Sequence, residues 1–157
     1  MFTITQLGKI YTACQDGKIP FVSADDIARV AFHALTDEKS FNCDLRILGP
    51  ELLTYDDVRP EFMHYYFLLM QCLQVATKLT KVLGRHIEHV KLDDRKRYEN
   101  LVQAGLSEYY ARFLTNVEVK ASEGLETASN SVIEDVTAHR PRSFDEFIEE
   151  DKAVWSI

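Results

Sequence analysis

The chain has 157 residues, a mass of 18.1 kDa and a formal net charge of −7, with 46% hydrophobic and 27% charged residues. This size predicts one domain, and the composition excludes an intrinsically disordered protein. The one dense basic run, Arg95-Lys96-Arg97, directly follows two aspartates, so sequence-independent binding to nucleic acid is not expected.

Three cysteines, Cys14, Cys43 and Cys72, are far apart and form no C-x-x-C pair. They favour neither a disulfide framework nor a cysteine zinc site, so we expect a reducing, cytoplasmic location and no metal. The first nine residues lack the apolar region of a secretory signal. The longest apolar stretch, residues 62–76, is shorter than the roughly 20 residues of a membrane span, so no membrane association is expected.

The first part of the chain predicts a strand, a capped helix and a second strand. Residues 19–22 form a short apolar run typical of a buried strand, and Ser23 with Asp26 is a capping-box variant that begins a helix ending near residues 37–39. The cap and the helix dipole also account for Asp25 and Asp26, although paired catalytic carboxylates are an alternative. Residues 44–48 alternate with period two and predict the second strand.

A second capping signal, Thr54 with Asp57, predicts another helix, but Pro60 follows too closely for that helix to continue. The aromatic-rich residues after it have no period that separates an inner from an outer face. Removing residues 58–74 would join the cap directly to an amphipathic helix that begins at Val75 and ends at Gly84.

The block 58–74 comprises 17 codons and can be removed in frame. Valine codons begin with GT and a glutamine codon can be CAG, which are the ends of a spliceable intron. We therefore interpret the block as a retained intron, with a genuine hydrophobic insertion as the alternative. Sequencing the transcript separates them, because a dominant mRNA with these codons and no spliced form would contradict the intron.

After Gly84, residues 85–92 predict a strand, and residues 94–104 and 108–116 predict helices, the second capped by Ser107. The run Arg95-Lys96-Arg97 is interpreted as a solvated helix face. The cluster Tyr109, Tyr110 and Phe113 is interpreted as core, with a flat aromatic ligand pocket as the alternative. Residues 117–131 predict a helix end or loop.

Near the end of the chain, Ser143 and Glu146 form a full S-x-x-E capping box. The apolar side chains that follow predict one stripe on an acidic helix: Phe144, Phe147, Ile148, Val154 and Trp155. In a strand, the spacing of His86 and His89 points the two rings to opposite faces, so we interpret this pair as incidental.

The alternation of strands and capped helices predicts an α/β fold. The six glycines build neither G-x-G-x-x-G nor G-x-x-x-x-G-K, so the chain contains no recognisable phosphate-binding loop. No tyrosine stands four residues before a lysine, and there is no G-x-S-x-G motif.

Three segments resemble a known family: residues 18–31 (KIPFVSADDIARVA), 45–55 (LRILGPELLTY) and 140–147 (RPRSFDEF). They look like the C-terminal half of the NmrA-like atypical short-chain dehydrogenases, and within these they are most similar to the fungal ergot-alkaloid agroclavine/festuclavine dehydrogenases. The resemblance implies an incomplete Rossmann-like fold comprising the C-terminal part of an NAD(P)-binding domain, with a substrate lobe.

The resemblance also implies a reaction in which NADPH passes a hydride to a cyclic iminium, giving agroclavine or festuclavine. Adding hydride to a cationic C=N⁺ gives a neutral amine and needs no general acid, and no catalytic residue is assigned. The turn of Pro20, Phe21, Val22 and Ser23 is expected to face the cofactor crevice, at the carboxyl end of a strand.

By the same resemblance, Tyr98, Tyr109 and Phe113 are expected to help bind the small-molecule alkaloid substrate. Family members are about twice as long and carry a glycine-rich NADP-binding turn in their N-terminal half, so we expect no measurable NADPH binding by these 157 residues alone. The alternatives are an NmrA-like dinucleotide-sensing regulator without catalysis and a nonfunctional gene fragment. The resemblance leaves the oligomeric state open.

Overall fold

The computed structural model describes residues 2–38, 41–56, 74–125 and 127–155. Within these ranges, four strands occur: β1 (Lys9–Thr12), β2 (Ile19–Pro20), β3 (Leu52–Leu53) and β4 (Glu88–Lys91). The same ranges contain the helices α1 (Phe2–Leu7), α2 (Ala24–Thr36), α3 (Val75–Leu83), α4 (Asp94–Gln103), α5 (Glu108–Ser122), α6 (Val132–Thr137), α7 (Phe144–Glu150) and α8 (Lys152–Trp155). The predicted α/β class is confirmed.

β1 and β4 form a parallel pair in which Lys9 faces Glu88 and Thr12 faces Lys91. β4 lies within the strand predicted over residues 85–92. Parallel strands need a long crossover, and α2 and α3 lie in the segment between these two. The carboxyl ends of both strands therefore lie at one edge of the pair, close to the turn that follows β1.

The strand predicted over residues 44–48 is wrong, because these residues have no regular secondary structure. β2 instead pairs antiparallel with β3, with Pro20 opposite Leu52. The Gly49 N–H donates to the Pro20 carbonyl at 3.2 Å, and a Cβ at Gly49 would lie 1.6 Å from the Phe21 carbonyl oxygen. This close approach requires glycine and takes the chain across the turn after β2.

The predicted start of α2 is confirmed. The Ser23 hydroxyl accepts the Asp26 N–H at 3.1 Å and donates to the Asp26 carboxylate at 2.8 Å. Asp26 is 1% exposed and also accepts the Arg142 N–H at 2.9 Å. Asp26 therefore joins the start of α2 to the segment before α7, and the helix ends at Thr36, close to the predicted residues 37–39.

The helix predicted to begin at Thr54 does not form there, because Thr54 pairs with Gln74 in an isolated parallel bridge. The Thr54 carbonyl accepts the Val75 N–H at 2.9 Å, and α3 begins at Val75. Thr54 thus lies beside Gln74, the last residue of the suspected insertion. Apart from Gln74, residues 58–74 lie outside the described part of the chain, as does Asp57, so the retained-intron hypothesis remains a prediction.

The predicted ends of α3, α4 and α5 agree with the structure except at one point. Gly84 ends α3 in the left-handed conformation at φ 64°, and Ser107 caps α5. α5 continues to Ser122, past the predicted end near residue 116. Its added turns carry Glu118, whose contacts to α4 and to the turn after β1 hold this part of the helix in place.

The core lies between the parallel pair, α3 and α7. Its buried residues are Ile10, Leu53, Val75, Ala76, Leu79, Ile87 and Ile148. The Ser143–Glu146 capping box that begins α7 is confirmed, and α7 directs Ile148 into this core. None of the described helices is long and apolar enough to cross a membrane.

Candidate functional site: an aromatic cleft beside the β2 turn

The turn expected to face the cofactor crevice borders a largely apolar cleft of about 370 Å³. Phe21, Val22 and Ser23 line this cleft, whereas Pro20 lies in β2 and is buried opposite Leu52. The remaining lining residues come from α1, β1, α3, the segment after β3, the start of α2 and the end of the chain: Ile4, Ile10, Ala24, Tyr55, Val75, Leu79, Arg142, Ser143, Phe144, Phe147 and Trp155.

Five of the lining residues form a continuous row of rings, here called the aromatic wall: Tyr55, Phe21, Phe144, Phe147 and Trp155. The centroid separations along the row are 5.3, 5.6, 5.9 and 6.3 Å. These distances are typical of favourable aromatic pairs. All five side chains are partly exposed, so the wall presents ring surface to the cleft.

The Arg142 guanidinium lies at the edge of the aromatic wall, 5.4 Å from the centre of the Phe147 ring. It pairs with Asp25 at 3.2 Å, with Asp151 at 3.3 Å and with Glu150. Three carboxylates therefore surround one cation. The formal charge of these four side chains together is negative, and Arg142 is the one of the four that lines the cleft.

A buried polar network lies at the carboxyl ends of β1 and β4. The Thr12 hydroxyl lies 2.8 Å from His89 Nε2, and His89 Nδ1 lies 2.9 Å from Asp56 Oδ1. The Thr12 oxygen also accepts the Cys14 N–H, and because a carboxylate only accepts, His89 Nδ1–H donates to Asp56. Lys91 Nζ lies 3.1 Å from Asp56 Oδ1. This network ties the segment after β3 to the parallel pair.

Hydrogen bonds within this network and burial beside it set the protonation states of Asp56, Cys14 and Tyr55. Burial alone would raise the pKa of Asp56, but hydrogen bonds from His89 and Lys91 outweigh it and lower the pKa to about 2. Burial raises the pKa of the Cys14 thiol to about 11, and it raises the pKa of the Tyr55 phenol well above its usual range. Asp56 is therefore a carboxylate at neutral pH, while Cys14 and Tyr55 stay protonated.

Because both ring nitrogens of His89 have partners, this histidine is not free to ligate a metal. Thr12, His89 and Asp56 place a hydroxyl, an imidazole and a carboxylate in the order typical of an activated nucleophile. Thr12 is only 4% exposed, however, so its hydroxyl is not accessible to a substrate. Within the described ranges, no three His, Cys, Asp or Glu side chains are placed to hold a metal ion. The network is a structural support for Tyr55, whose ring lies 5.6 Å from that of His89.

The residues expected to bind substrate do not lie together in one cavity. Tyr98 lines a second cavity of about 360 Å³ between α4 and α5, where the Arg112 guanidinium lies 4.9 Å from its ring centre. Tyr109 and Phe113 are not among the lining residues of that cavity or of the aromatic cleft. Their role in binding substrate stays a prediction.

The interpretation of Tyr109, Tyr110 and Phe113 as core is wrong, because they are 84%, 51% and 52% exposed. Tyr109 and Phe113 are spaced four residues apart and therefore share a helical face, and the structure places that face away from α4. Helical periodicity shows which side chains share a face, but it does not show what covers that face.

The interpretation of residues 95–97 as a solvated face is correct for Arg95 and Lys96 but wrong for Arg97. The Arg97 side chain is 14% exposed and donates to both oxygens of Glu118, with Nε at 3.1 and 2.8 Å. Glu118 Oε2 also accepts the Ala13 N–H at 2.7 Å. Arg97 points inward because α5 brings a carboxylate to it.

Sequence reasoning did not assign Tyr55, Phe144, Phe147 or Trp155 to a site. Phe144 and Phe147 stand three residues apart and were predicted to share a face of α7. Nothing in their spacing indicates that this face meets Phe21, which is distant in the chain. A search for aromatic residues next to the predicted turns would have included Tyr55.

The chain is similar to curated proteins over nearly its whole length, although no family model matches it. It is 39% identical over 153 residues to agroclavine dehydrogenase of Claviceps fusiformis, covering 98% of this chain and 47% of that protein. It is 42% identical over 149 residues to festuclavine dehydrogenase of Aspergillus fumigatus, covering 94% and 46%. The chain thus spans about half the length of the curated relatives it matches.

Solved structures with lower sequence identity share the fold. An NADPH-dependent quinone oxidoreductase of Escherichia coli has a TM-score of 0.75 at 20% identity, over 94% of this chain and 48% of that one. Triphenylmethane reductase of a Citrobacter species, complexed with NADP(H), has a TM-score of 0.73 at 19% identity, over 93% and 45%. The chain is therefore similar over nearly its whole length to part of the agroclavine and festuclavine dehydrogenases, and it shares the α/β fold of these two solved reductases.

Proposed function

We propose that this chain forms the substrate side of an NADPH-dependent oxidoreductase that reduces a cyclic iminium to agroclavine or festuclavine. The observation that carries the proposal is identity of 39 and 42% to two such dehydrogenases over 98 and 94% of the chain. The aromatic cleft beside Phe21 and Val22 supports it, because the cleft offers a water-poor surface next to the turn expected to face the cofactor.

The chemistry of the cleft suits hydride transfer to a cation. NADPH would supply the hydride when bound, and the neutral amine product requires no added proton. The chain's own contribution is to orient the reacting groups and to exclude water, which would otherwise hydrolyse an iminium. The carboxylates around Arg142 outnumber this one cation, and the surplus of negative charge favours a cationic substrate.

The residues described here fit part of the cofactor. Phe21 and Val22 would offer an apolar surface for the nicotinamide ring. Ser23 would contribute less, because its hydroxyl both accepts from and donates to Asp26 in the α2 cap. The 157 residues contain no G-x-G-x-x-G motif for the phosphates, so we propose that NADPH binding needs the part of a full-length reductase that this chain does not match.

A chimera tests the proposal. The segment of the Aspergillus fumigatus dehydrogenase that matches this chain is replaced by the chain, once with and once without residues 58–74. We expect at least one soluble chimera to consume NADPH with the cyclic iminium and to release festuclavine or agroclavine, identified by mass spectrometry. A soluble chimera that binds NADPH but leaves the iminium unchanged would overturn the proposal.

A calorimetric titration of the 157-residue chain with NADPH is the matched control. We expect no measurable heat of binding, because the chain lacks a phosphate-binding loop. Micromolar affinity for NADPH would show that the cofactor site lies within this chain.

A further inference from the structure

The five rings of the aromatic wall line one cleft, whereas Tyr98 is the one aromatic residue, among those described, that lines the cavity between α4 and α5. We propose that the wall binds the flat, cationic ring system of the substrate by cation–π contacts, which makes Phe21 and Phe144 specificity-determining residues. This inference rests on the proposed function, since the iminium supplies the cation. It assigns the alkaloid to the aromatic cleft instead of the aromatic face of α5.

The rings of the wall are inclined to one another by 80°, 57°, 41° and 74°, so a ligand contacts the wall ring by ring and does not stack on one flat surface. Four successive centroid distances between 5.3 and 6.3 Å place the five rings in one continuous row, and the row borders a cavity of about 370 Å³. Cavities of roughly 300 to 1,000 Å³ are typical of small-molecule sites. Aliphatic residues on the other sides, among them Val75 and Leu79, complete an apolar enclosure for a polycyclic molecule.

The electrostatics favour a cation over an anion. The faces of aromatic rings carry partial negative charge and attract cations within about 6 Å. Phe147 already holds the Arg142 guanidinium in this way, at 5.4 Å. Two cations near the wall are outnumbered by carboxylates: Arg142 pairs with three, and Lys78 pairs with Glu51 and Asp145 at 2.9 and 2.6 Å. This surplus of negative charge favours a cationic ligand over an anionic one.

The support behind Tyr55 fits the same role. Asp56 accepts from His89 and Lys91, and this contact fixes the residue next to Tyr55 against the parallel pair. The Tyr55 ring is therefore held in place between Phe21 and His89 before a ligand arrives. A preformed wall loses little conformational entropy on binding.

Equilibrium binding of two matched probes to the 157-residue chain tests the inference. The first probe is the cyclic iminium 2-methyl-3,4-dihydroisoquinolinium, and the second is 1,2-dihydronaphthalene, a neutral molecule of similar shape. Trp155 is the only tryptophan and lies in the wall, so its fluorescence reports occupancy, with calorimetry as the second readout. We expect the iminium to bind about tenfold more tightly than the neutral probe.

Three variants and one control locate the effect. Phe144→Leu and Phe21→Leu keep an apolar side chain but remove the ring. Each is expected to lower the affinity for the iminium about fivefold and the affinity for the neutral probe less than twofold. The control Phe32→Leu removes a 63% exposed ring on α2 that does not line the cleft and is expected to change neither affinity, while Tyr109→Leu tests the alternative site on α5. Circular dichroism confirms that each variant is folded. If the chain alone is insoluble, the same titrations are made by calorimetry on the soluble chimera.

Equal affinity for the two probes would overturn the inference, as would equal weakening of both by Phe144→Leu. Loss of iminium binding in Tyr109→Leu would move the site to α5. The proposed function is tested separately from this inference. If the chimera reduces the iminium and Phe144→Leu leaves its KM unchanged, the reductase function is supported and binding at the aromatic wall is contradicted. If the chimera shows no turnover but Phe144→Leu still lowers its affinity for the iminium, binding at the aromatic wall is supported and the proposed reaction is contradicted.

Discussion

The aromatic cleft and the pair of helices α4 and α5 contain the same kinds of residue in opposite arrangements. In the cleft, aromatic rings pack in T-shaped and tilted pairs over an apolar core, and charged groups stay at the edge. Between α4 and α5, an Arg97–Glu118 ion pair lies in the interior, while Tyr109 and Phe113 project outward. Aromatic composition therefore does not identify a binding surface; the tertiary neighbours do.

The physical difference lies in what each helix meets. α7 lies against α3 and the parallel pair, so its apolar face has a core to join. α5 meets α4 through Ala111, Leu101 and the ion pair, which leaves the other face of α5 uncovered. Four variants test this difference, from the largest expected effect to the smallest.

Arg97→Met is expected to have the largest effect on stability. It removes one partner of a pair that is 14% and 17% exposed and leaves Glu118 buried without its cation. Such losses cost about 4 kcal/mol, measured as the change in free energy of urea unfolding. The control Arg95→Met, at 85% side-chain exposure, is expected to cost less than about 0.5 kcal/mol. Equal, small effects at both positions would contradict an ion pair that holds the two helices together.

Ile148→Ala is expected to destabilise the cleft side by about 3 kcal/mol, because the side chain is fully buried and its removal leaves a cavity under the aromatic wall. The control Val154→Ala, at a residue 46% exposed, is expected to cost well under 1 kcal/mol. Thermal and urea unfolding measure both changes. A cost at Ile148 no larger than at Val154 would show that α7 does not pack on this core.

Asp56→Asn tests whether the Asp56 carboxylate stabilises the segment that carries Tyr55. The readout is how the difference in unfolding free energy between wild type and variant changes with pH. The pKa of Asp56 is lowered to about 2, so its stabilising effect is complete above the ordinary carboxyl pKa and is lost as the pH falls through the folded value. We expect the wild type to exceed the variant by about 2 kcal/mol near pH 6 and by about half of that near pH 3. Urea unfolding at both pH values gives this difference. A difference independent of pH would assign the effect to packing instead of charge.

Phe113→Ala is expected to have the smallest effect, within about 0.5 kcal/mol, because the side chain is 52% exposed and its face of α5 is uncovered. The matching change in the wall, Phe144→Ala, is expected to cost at least about 1 kcal/mol, since Phe144 packs on Phe21 and the core. The two variants are compared by their urea midpoints. A larger loss at Phe113 would reverse the comparison between the two regions.

Local signals in the sequence predicted most of the helix starts. Ser23, Ser107 and Ser143 all cap helices as predicted, because a cap depends on a side chain and a backbone N–H only three residues apart. The strand expected over residues 44–48 and the helix start at Thr54 were wrong for the opposite reason. Both segments have partners that are distant in the chain: the Arg46 carbonyl accepts from the Asn130 side chain, and Thr54 pairs with Gln74.

The candidate site divides in the same way. The family resemblance indicated the turn of Pro20, Phe21, Val22 and Ser23; the last three residues line the cleft, and Pro20 does not. The rest of the wall could not be predicted, because Tyr55, Phe144 and Trp155 reach the cleft only through the folding of separate segments. Substrate roles for Tyr98, Tyr109 and Phe113 remain predictions.

The sequence by itself determined the α/β class, the capped helices, the absence of a glycine-rich phosphate-binding motif from these residues and the relation to the ergot-alkaloid dehydrogenases. These features depend on residues close together in the chain, where hydrogen bonds and periodicity act locally. Only the tertiary structure decided which aromatic rings line a cleft and which face solvent, and that Arg97 lies inside. Burial depends on contacts between distant segments, and the spacing of residues within one segment does not specify those contacts.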